Sequence, residues 1–326
     1  MVVFNGGSRA NAPGYTSGKP PALAELPPFP VVAIRALQMV WNSEASLREL
    51  HDVIRTDQAF SVELLRIANC PLYGIRSQIK STMQATILLG FERVKAVVLT
   101  IGMRSYLGSC LKIPALKACW RHSLACAMIT EELAKVNFLG ARLGGYEGLL
   151  ASPQESIFPQ QTAVFNPKVA ASAILDKDMA YTAGMIHDVG RLALAASRPQ
   201  QYAEMLRTAG DGSRDMLQRE REAFGMDHTE MGHALAQAWN LPAELDEVIS
   251  GHHAPVIVNR FDLLAAVQLA CRMADTLGFD AGGAANPMNY EELIGGLPER
   301  ERMHFDCDPE ELARAVEAKI SSIEPV

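Results

Sequence analysis

The chain has 326 residues, 48% of them hydrophobic, a net charge of −7 and a mean hydropathy of +0.04. That is enough apolar material for two domains, or for one large domain with insertions. The acidic balance and the lack of any dense Lys/Arg run argue against a broad phosphate-backbone surface, a local basic patch aside, so no direct nucleic-acid partner is expected.

Residues 1–24 are rich in Gly, Ser, Asn and Pro and predict a flexible tail. The first residues lack the basic start and apolar run of a signal peptide. No stretch of 18 uncharged apolar residues occurs, so no membrane span is expected. The six cysteines contain no Cys-x-x-Cys pair and read as buried free thiols in a reducing compartment, the cytoplasm.

Order is expected from Leu26-Pro27-Pro28-Phe29-Pro30, and the period is helical from there. Val32, Ile34, Leu37 and Val40 fit one stripe. Ser46-Leu47-Arg48-Glu49 is a capping box, Asp57 caps a helix through Phe60 and Leu64, and Asn69-Cys70-Pro71 breaks it. Ser81 opens a short helix to Gly90, followed by an apolar helix over 92–107. A long helix over 113–137 carries His122. Residues 138–178 lose their period at Gly144-Gly145, Pro153, Pro159 and Pro167, and read as an insertion or long loop. Helices over 178–196, 198–209, 213–224, 228–240, 242–253 and 258–278 follow, then a Gly- and Pro-bearing break and short helices over 290–296 and 309–321. Strand-like alternation is nearly absent, so the predicted fold class is all-α.

Chemistry gathers on the histidines. His187 and Asp188 adjoin in an apolar stretch read as one helix, and burying both costs several kcal/mol unless they are paired or metal-bound. His122 lies upstream; His228, the pair His252–His253 and Asp275 lie downstream. Neighbours on a helix point about 100° apart, so His187 and Asp188 could both face one cation at a helix seam. Imidazoles and carboxylates from several helices can build a metal site in a bundle core. Other candidates are weaker. His51 reads as a surface residue, and His233, at spacing five from His228, points elsewhere. His304 and Cys307 do not make a zinc site by themselves. Met83, Met103, Met128 and Met185 read as core filling.

Two blocks of sequence carry a resemblance. The first holds Leu-Pro-Pro-Phe-Pro, the Ser46 capping box, Val-Ile-Arg-Thr-Asp-Gln-Ala-Phe (53–60), Leu-Leu-Arg-Ile-Ala-Asn-Cys-Pro-Leu-Tyr-Gly (64–74) and Ala-Thr-Ile-Leu-Leu-Gly-Phe-Glu-Arg-Val (85–94). The second holds Trp120-Arg121-His122-Ser123, Gly-Met-Ile-His187-Asp188-Val-Gly-Arg191, His228 through Pro242, and His252-His253. Over roughly residues 24–278 the chain resembles the HDOD family, the HD-related output domains of bacterial signalling proteins. The resemblance implies a multi-helix bundle of HD-superfamily type with an N-terminal helical subdomain (25–110), an HD-like subdomain (111–278) with the insertion at 138–178, and a C-terminal extension (279–326).

The resemblance to HD phosphohydrolases implies first-metal ligands at His122, His187, Asp188 and Asp275. The resemblance to the HD-GYP phosphodiesterases implies a second metal on His228, His252 and His253. Asp262 competes with Asp275 for its place. The implied cofactor is a divalent metal (Fe, Mn, Zn or Ni), in one or two ions. Two departures stand against turnover. After His253 the chain reads Ala254-Pro255-Val256, without the glutamate and Gly-Tyr-Pro signature of the cyclic-di-GMP hydrolases. Arg191 stands where those enzymes carry lysine, and it can hold phosphate but cannot serve as a base. The expected function is a cytoplasmic regulatory module acting on signalling proteins, with a homodimer left open. The rival is an active metal-dependent phosphohydrolase on a nucleotide or cyclic dinucleotide, with Asp188 and Arg191 as its catalytic residues.

Overall fold

Short polar side chains cap many of the described helices, because the first turn of a helix leaves backbone N–H groups without partners. Ser46 accepts from the backbone of Glu49 while Glu49 accepts from the backbone of Ser46 at 2.7 Å, a closed capping box. Asp57, Ser81, Asp176 and Asp262 cap through the side chain alone, and Asp227 forms another full box with Glu230. The computed structural model describes residues 26–40, 45–70, 78–143, 174–208, 216–254, 261–281, 289–305 and 307–324. The tail, most of the predicted insertion (144–173) and much of the turn after Asn69 lie outside the described residues.

The first part comprises α1 (Val31–Val40), α2 (Leu47–Ile54), α3 (Gln58–Ala68), α4 (Thr82–Leu89) and α5 (Phe91–Leu107), continued by a 3₁₀ turn over Gly108–Lys112. The central part comprises α6 (Pro114–Leu143), α7 (Lys177–Ile186), α8 (Val189–Ser197), α9 (Pro199–Arg207), α10 (Met216–Phe224), α11 (His228–Ala238), α12 (Ala243–Gly251) and α13 (Leu263–Thr276). The chain closes with α14 (Tyr290–Gly295), α15 (Glu299–Arg302) and α16 (Pro309–Ile323). Among the described residues there is no strand, and the fold is all-α.

The long helix α6 is the axis, packed chiefly against α7 and α13, while α8 lies on α11 and α1 on α5. The buried apolar side chains form one contiguous cluster from Phe29 to Ile323. Phe91–Lys112 has the length and hydropathy of a membrane span, yet most of it is buried against the protein, as in a core helix.

Three local readings are corrected. The stretch 178–196 is two helices, broken at His187–Asp188, where Asp188 leaves helical geometry (φ −100°, ψ 20°). His51 is buried rather than on the surface, and its Nε2 meets Thr82 Oγ1 at 3.1 Å, which ties α2 to α4. Met83 is exposed on α4, while Met103, Met128 and Met185 fill the core.

Candidate metal centre

Close helix packing brings the site together. A Cβ on Gly184 would lie 2.7 Å from Ala127 Cα, so only glycine lets α7 press against α6. A Cβ on Gly190 would lie 1.9 Å from the His228 carbonyl oxygen, so α8 sits equally tight on α11. Between the two glycines the chain turns at His187–Asp188. The turn sends His187 toward α6 and α13 and Asp188 toward α11 and α12.

Two donor groups result. In the first, His122, Cys126, His187 and Cys271 each offer one atom, all within 4.8 Å of one another. In the second, Asp188, His228, His252 and His253 do the same. His122, His187, Asp188, His228 and His252 are each 4% exposed or less, while His253 is exposed at the rim.

In four of the five histidines Nδ1 faces an acceptor, which holds that nitrogen as a donor and turns Nε2 inward. His122 Nδ1 donates to the Phe279 carbonyl at 3.0 Å, His187 Nδ1 to Gly184 at 2.7 Å and His252 Nδ1 to Ile249 at 2.9 Å. His228 Nδ1 donates to Glu220 Oε2 at 2.6 Å, and the His228 backbone N–H donates to the same oxygen at 2.8 Å. The Tyr202 hydroxyl holds the other Glu220 oxygen. Burial opposes the charge on Glu220, but His228 and Arg191 outweigh it and keep the carboxyl below its ordinary range.

The inward nitrogens crowd one another. His228 Nε2 is 3.2 Å from His252 Nε2 and 2.9 Å from His253 Nε2, and Asp188 Oδ1 is 3.4 and 3.3 Å from the first two. His228 and His252, each with its proton on Nδ1, turn lone pairs toward each other and toward the Asp188 carboxylate, and such groups repel unless a proton or a cation lies between them. Ligands held about 2.0–2.1 Å from a metal sit about 2.9 Å apart in an octahedron and about 3.3 Å apart in a tetrahedron. The observed spacings fall in that range, so these residues fit a metal ion.

Charges around Asp188 agree. Burial would raise its pKa, but Arg191, His187 and His228 hold it well below the ordinary carboxylate range. Arg191 Nε lies 3.3 Å from Asp188 Oδ2. His253 is pushed down to about 2, first by loss of water around its ring and then by His252 and His228, so it stays neutral, as a ligand must.

Asp275 lies outside both four-donor groups. Its Oδ1 is 3.3 Å from His122 Nδ1, the ring nitrogen opposite the one that faces the cysteines. Burial lifts its pKa to about 7. Asp262 caps the far end of α13 through the Ala265 N–H. His233 pairs with Asp246 at 2.7 Å on the exposed side of α11.

Sequence reasoning missed Cys126, Cys271 and Glu220. The first two carry a signal, since His122 and Cys126, and Cys271 and Asp275, are each one helical turn apart and share a face. Glu220 carries none, because only the fold brings it to His228.

An all-helical bundle whose buried centre is built on a His–Asp pair at a helix junction defines a protein of the HD-like class. The HDOD domain profile matches residues 26–144 and 159–255, and the chain belongs to the HDOD domain family.

Solved structures share the fold. An HDOD domain protein of unknown function from Geobacter sulfurreducens superposes with TM-score 0.61 at 21% identity, covering 91% of both chains. A protein from Marinobacter aquaeolei VT8, provisionally described as a signal transduction protein, gives TM-score 0.64 at 19% identity over 92% of this chain and 59% of that one. One from Shewanella amazonensis SB2B, provisionally described as a metal-dependent phosphohydrolase, gives 0.51 at 17% identity over 92% of each. An uncharacterized protein of Treponema pallidum is 19% identical over 229 residues, 70% of this chain but 38% of that protein.

Proposed function

We propose that this chain is a regulatory HDOD module, built around an HD-like centre that holds one or two divalent ions and acting through contacts with signalling proteins. The observation that carries the reading is the convergence of His228, His252 and His253 Nε2 with Asp188 Oδ1 at 2.9–3.4 Å, with the far nitrogens of His228 and His252 tied to acceptors. Burial of the centre favours regulation over turnover. The N-terminal helices offer a docking face, since Ile87 and Leu88 on α4 stand exposed. Six free thiols, four of them buried, suit a reducing compartment such as the cytoplasm.

The test is metal analysis of the purified protein after mild chelation and reloading with Fe, Mn, Zn or Ni. We expect metal to rebind and to raise the melting temperature, as any ligand of the native state must. His228→Ala should lose metal. Failure of every ion to copurify or rebind would overturn the reading.

A second reading, a metal-dependent phosphohydrolase on a nucleotide or cyclic dinucleotide, draws on Arg191, a cation able to hold phosphate one turn from Asp188. A bound ion would polarise the phosphoryl group and supply hydroxide near neutral pH. Hydrolysis of a cyclic dinucleotide by the reloaded protein, lost in Arg191→Ala, would establish it.

A further inference from the structure

We infer that His122, Cys126, His187 and Cys271 form a metal site of their own, a two-thiolate, two-imidazole site selective for zinc-like cations. It deepens the regulatory-centre reading and rests on it only in sharing the His187–Asp188 junction. The Cys126 and Cys271 sulfurs each lie 3.4 Å from His122 Nε2. Zn–S bonds of about 2.3 Å and Zn–N bonds of about 2.0–2.1 Å put sulfur and nitrogen about 3.5 Å apart on a tetrahedron. Thiol–imidazole hydrogen bonds alone would satisfy His122. They leave His187 Nε2 buried with no hydrogen-bond partner and 3.8 Å from Asp188 Oδ2, a position that a cation shared with the two sulfurs would satisfy.

The surroundings also suit a ligand set. His122 Nδ1 is held by the Phe279 carbonyl and flanked by Asp275 at 3.3 Å, the carboxylate–histidine arrangement that orients metal-binding imidazoles. Asp275 is therefore a positioning residue for His122. Its neighbour group, with one carboxylate oxygen and three imidazoles, is harder in its donors. Thiolates prefer Zn over Mg, Ca and Mn, so the two halves of the centre differ in the ions they accept.

The experiment uses the full chain, stripped with chelator under reductant and titrated with Co²⁺. The expected result is a thiolate-to-cobalt charge-transfer band with strong visible bands of tetrahedral coordination, bleached by one equivalent of Zn²⁺. Cys271→Ser should weaken the charge-transfer band to that of the one remaining thiolate, Cys126→Ser with Cys271→Ser should abolish it, and His253→Ala should leave it intact. A second measurement covers variants that fold poorly: in the unmodified protein, Zn²⁺ should slow iodoacetamide labelling of Cys271 at least tenfold. Cobalt binding without a charge-transfer band, or labelling indifferent to Zn²⁺, overturns the inference. In that case a metal lost in His228→Ala leaves the regulatory-centre reading standing. Conversely, a charge-transfer band with no metal lost in His228→Ala sinks that reading and keeps this one.

Discussion

His187 Nε2 and Asp188 Oδ2 lie 3.8 Å apart across the break between α7 and α8, yet the two side chains join different donor groups. The kink makes this possible, because a continuous helix would carry both past the same seam. One dipeptide thereby contributes to two adjoining donor groups, and its carboxylate balances the buried Arg191.

Replacing Asp188 should reveal that balance. Asp188→Asn removes the nearest partner of the buried Arg191 and leaves Glu220 as its remaining counter-charge, a loss of up to about 3–5 kcal/mol in stability. Urea denaturation of metal-free protein measures it. A loss below about 1 kcal/mol would mean that Arg191 finds another carboxylate.

Glu220 is the support of the histidine group. Glu220→Ala frees His228 Nδ1 and strands the Tyr202 hydroxyl, both of which Glu220 holds in the core. Removing such an outer partner weakens metal affinity by about 10–100-fold. Competition against a chelator of known affinity gives the number, and an unchanged affinity would sever His228 from the metal.

Gly190 sets the approach of α8 to α11. Gly190→Ala drives a methyl into the His228 carbonyl, which is backbone and cannot swing away. Overpacking of this kind costs about 1–3 kcal/mol or more. Gly295→Ala is the control, because its Cβ would meet nothing within 4 Å. Its stability should stay within about 0.5 kcal/mol of the parent.

Glu132 supplies a pH dependence away from the centre. Burial raises its pKa, but Lys135 at 3.0 Å and Lys319 at 3.3 Å prevail and hold it below the ordinary 4.5. A carboxyl depressed on folding stabilises above its unfolded pKa, and that contribution fades as pH falls through the folded one. Glu132→Gln should therefore be less stable at pH 7 by about 0.5 kcal/mol, as part-exposed pairs are worth. The gap should close in acid, and denaturation curves at neutral and acidic pH compare the two directly.

The helical fold was legible because its signals are local. Capping residues such as Ser46, Asp57 and Asp227 and the apolar stripes they introduce depend on neighbours a turn away, so chain order alone reveals them. The same holds for the His187–Asp188 pair and the His252–His253 pair as marks of a centre. The helix break at Asp188 was not legible, since the apolar period runs through it without a proline. His51 misled for a similar reason: a polar residue on a capped helix looks solvated until Thr82 arrives from another helix.

By itself, then, the sequence determined the class of fold, the family and the histidines that meet in the buried core, all of which rest on local pattern and order. Only the tertiary structure decided how those histidines divide. It brought Cys126 and Cys271 to His122, set Asp275 behind the same ring and placed Glu220 behind His228. Such contacts join residues far apart in the chain, 149 positions in the case of Cys271 and His122. They are fixed by how closely glycine-bearing helices can approach, a property of packed pairs of helices and not of any one of them.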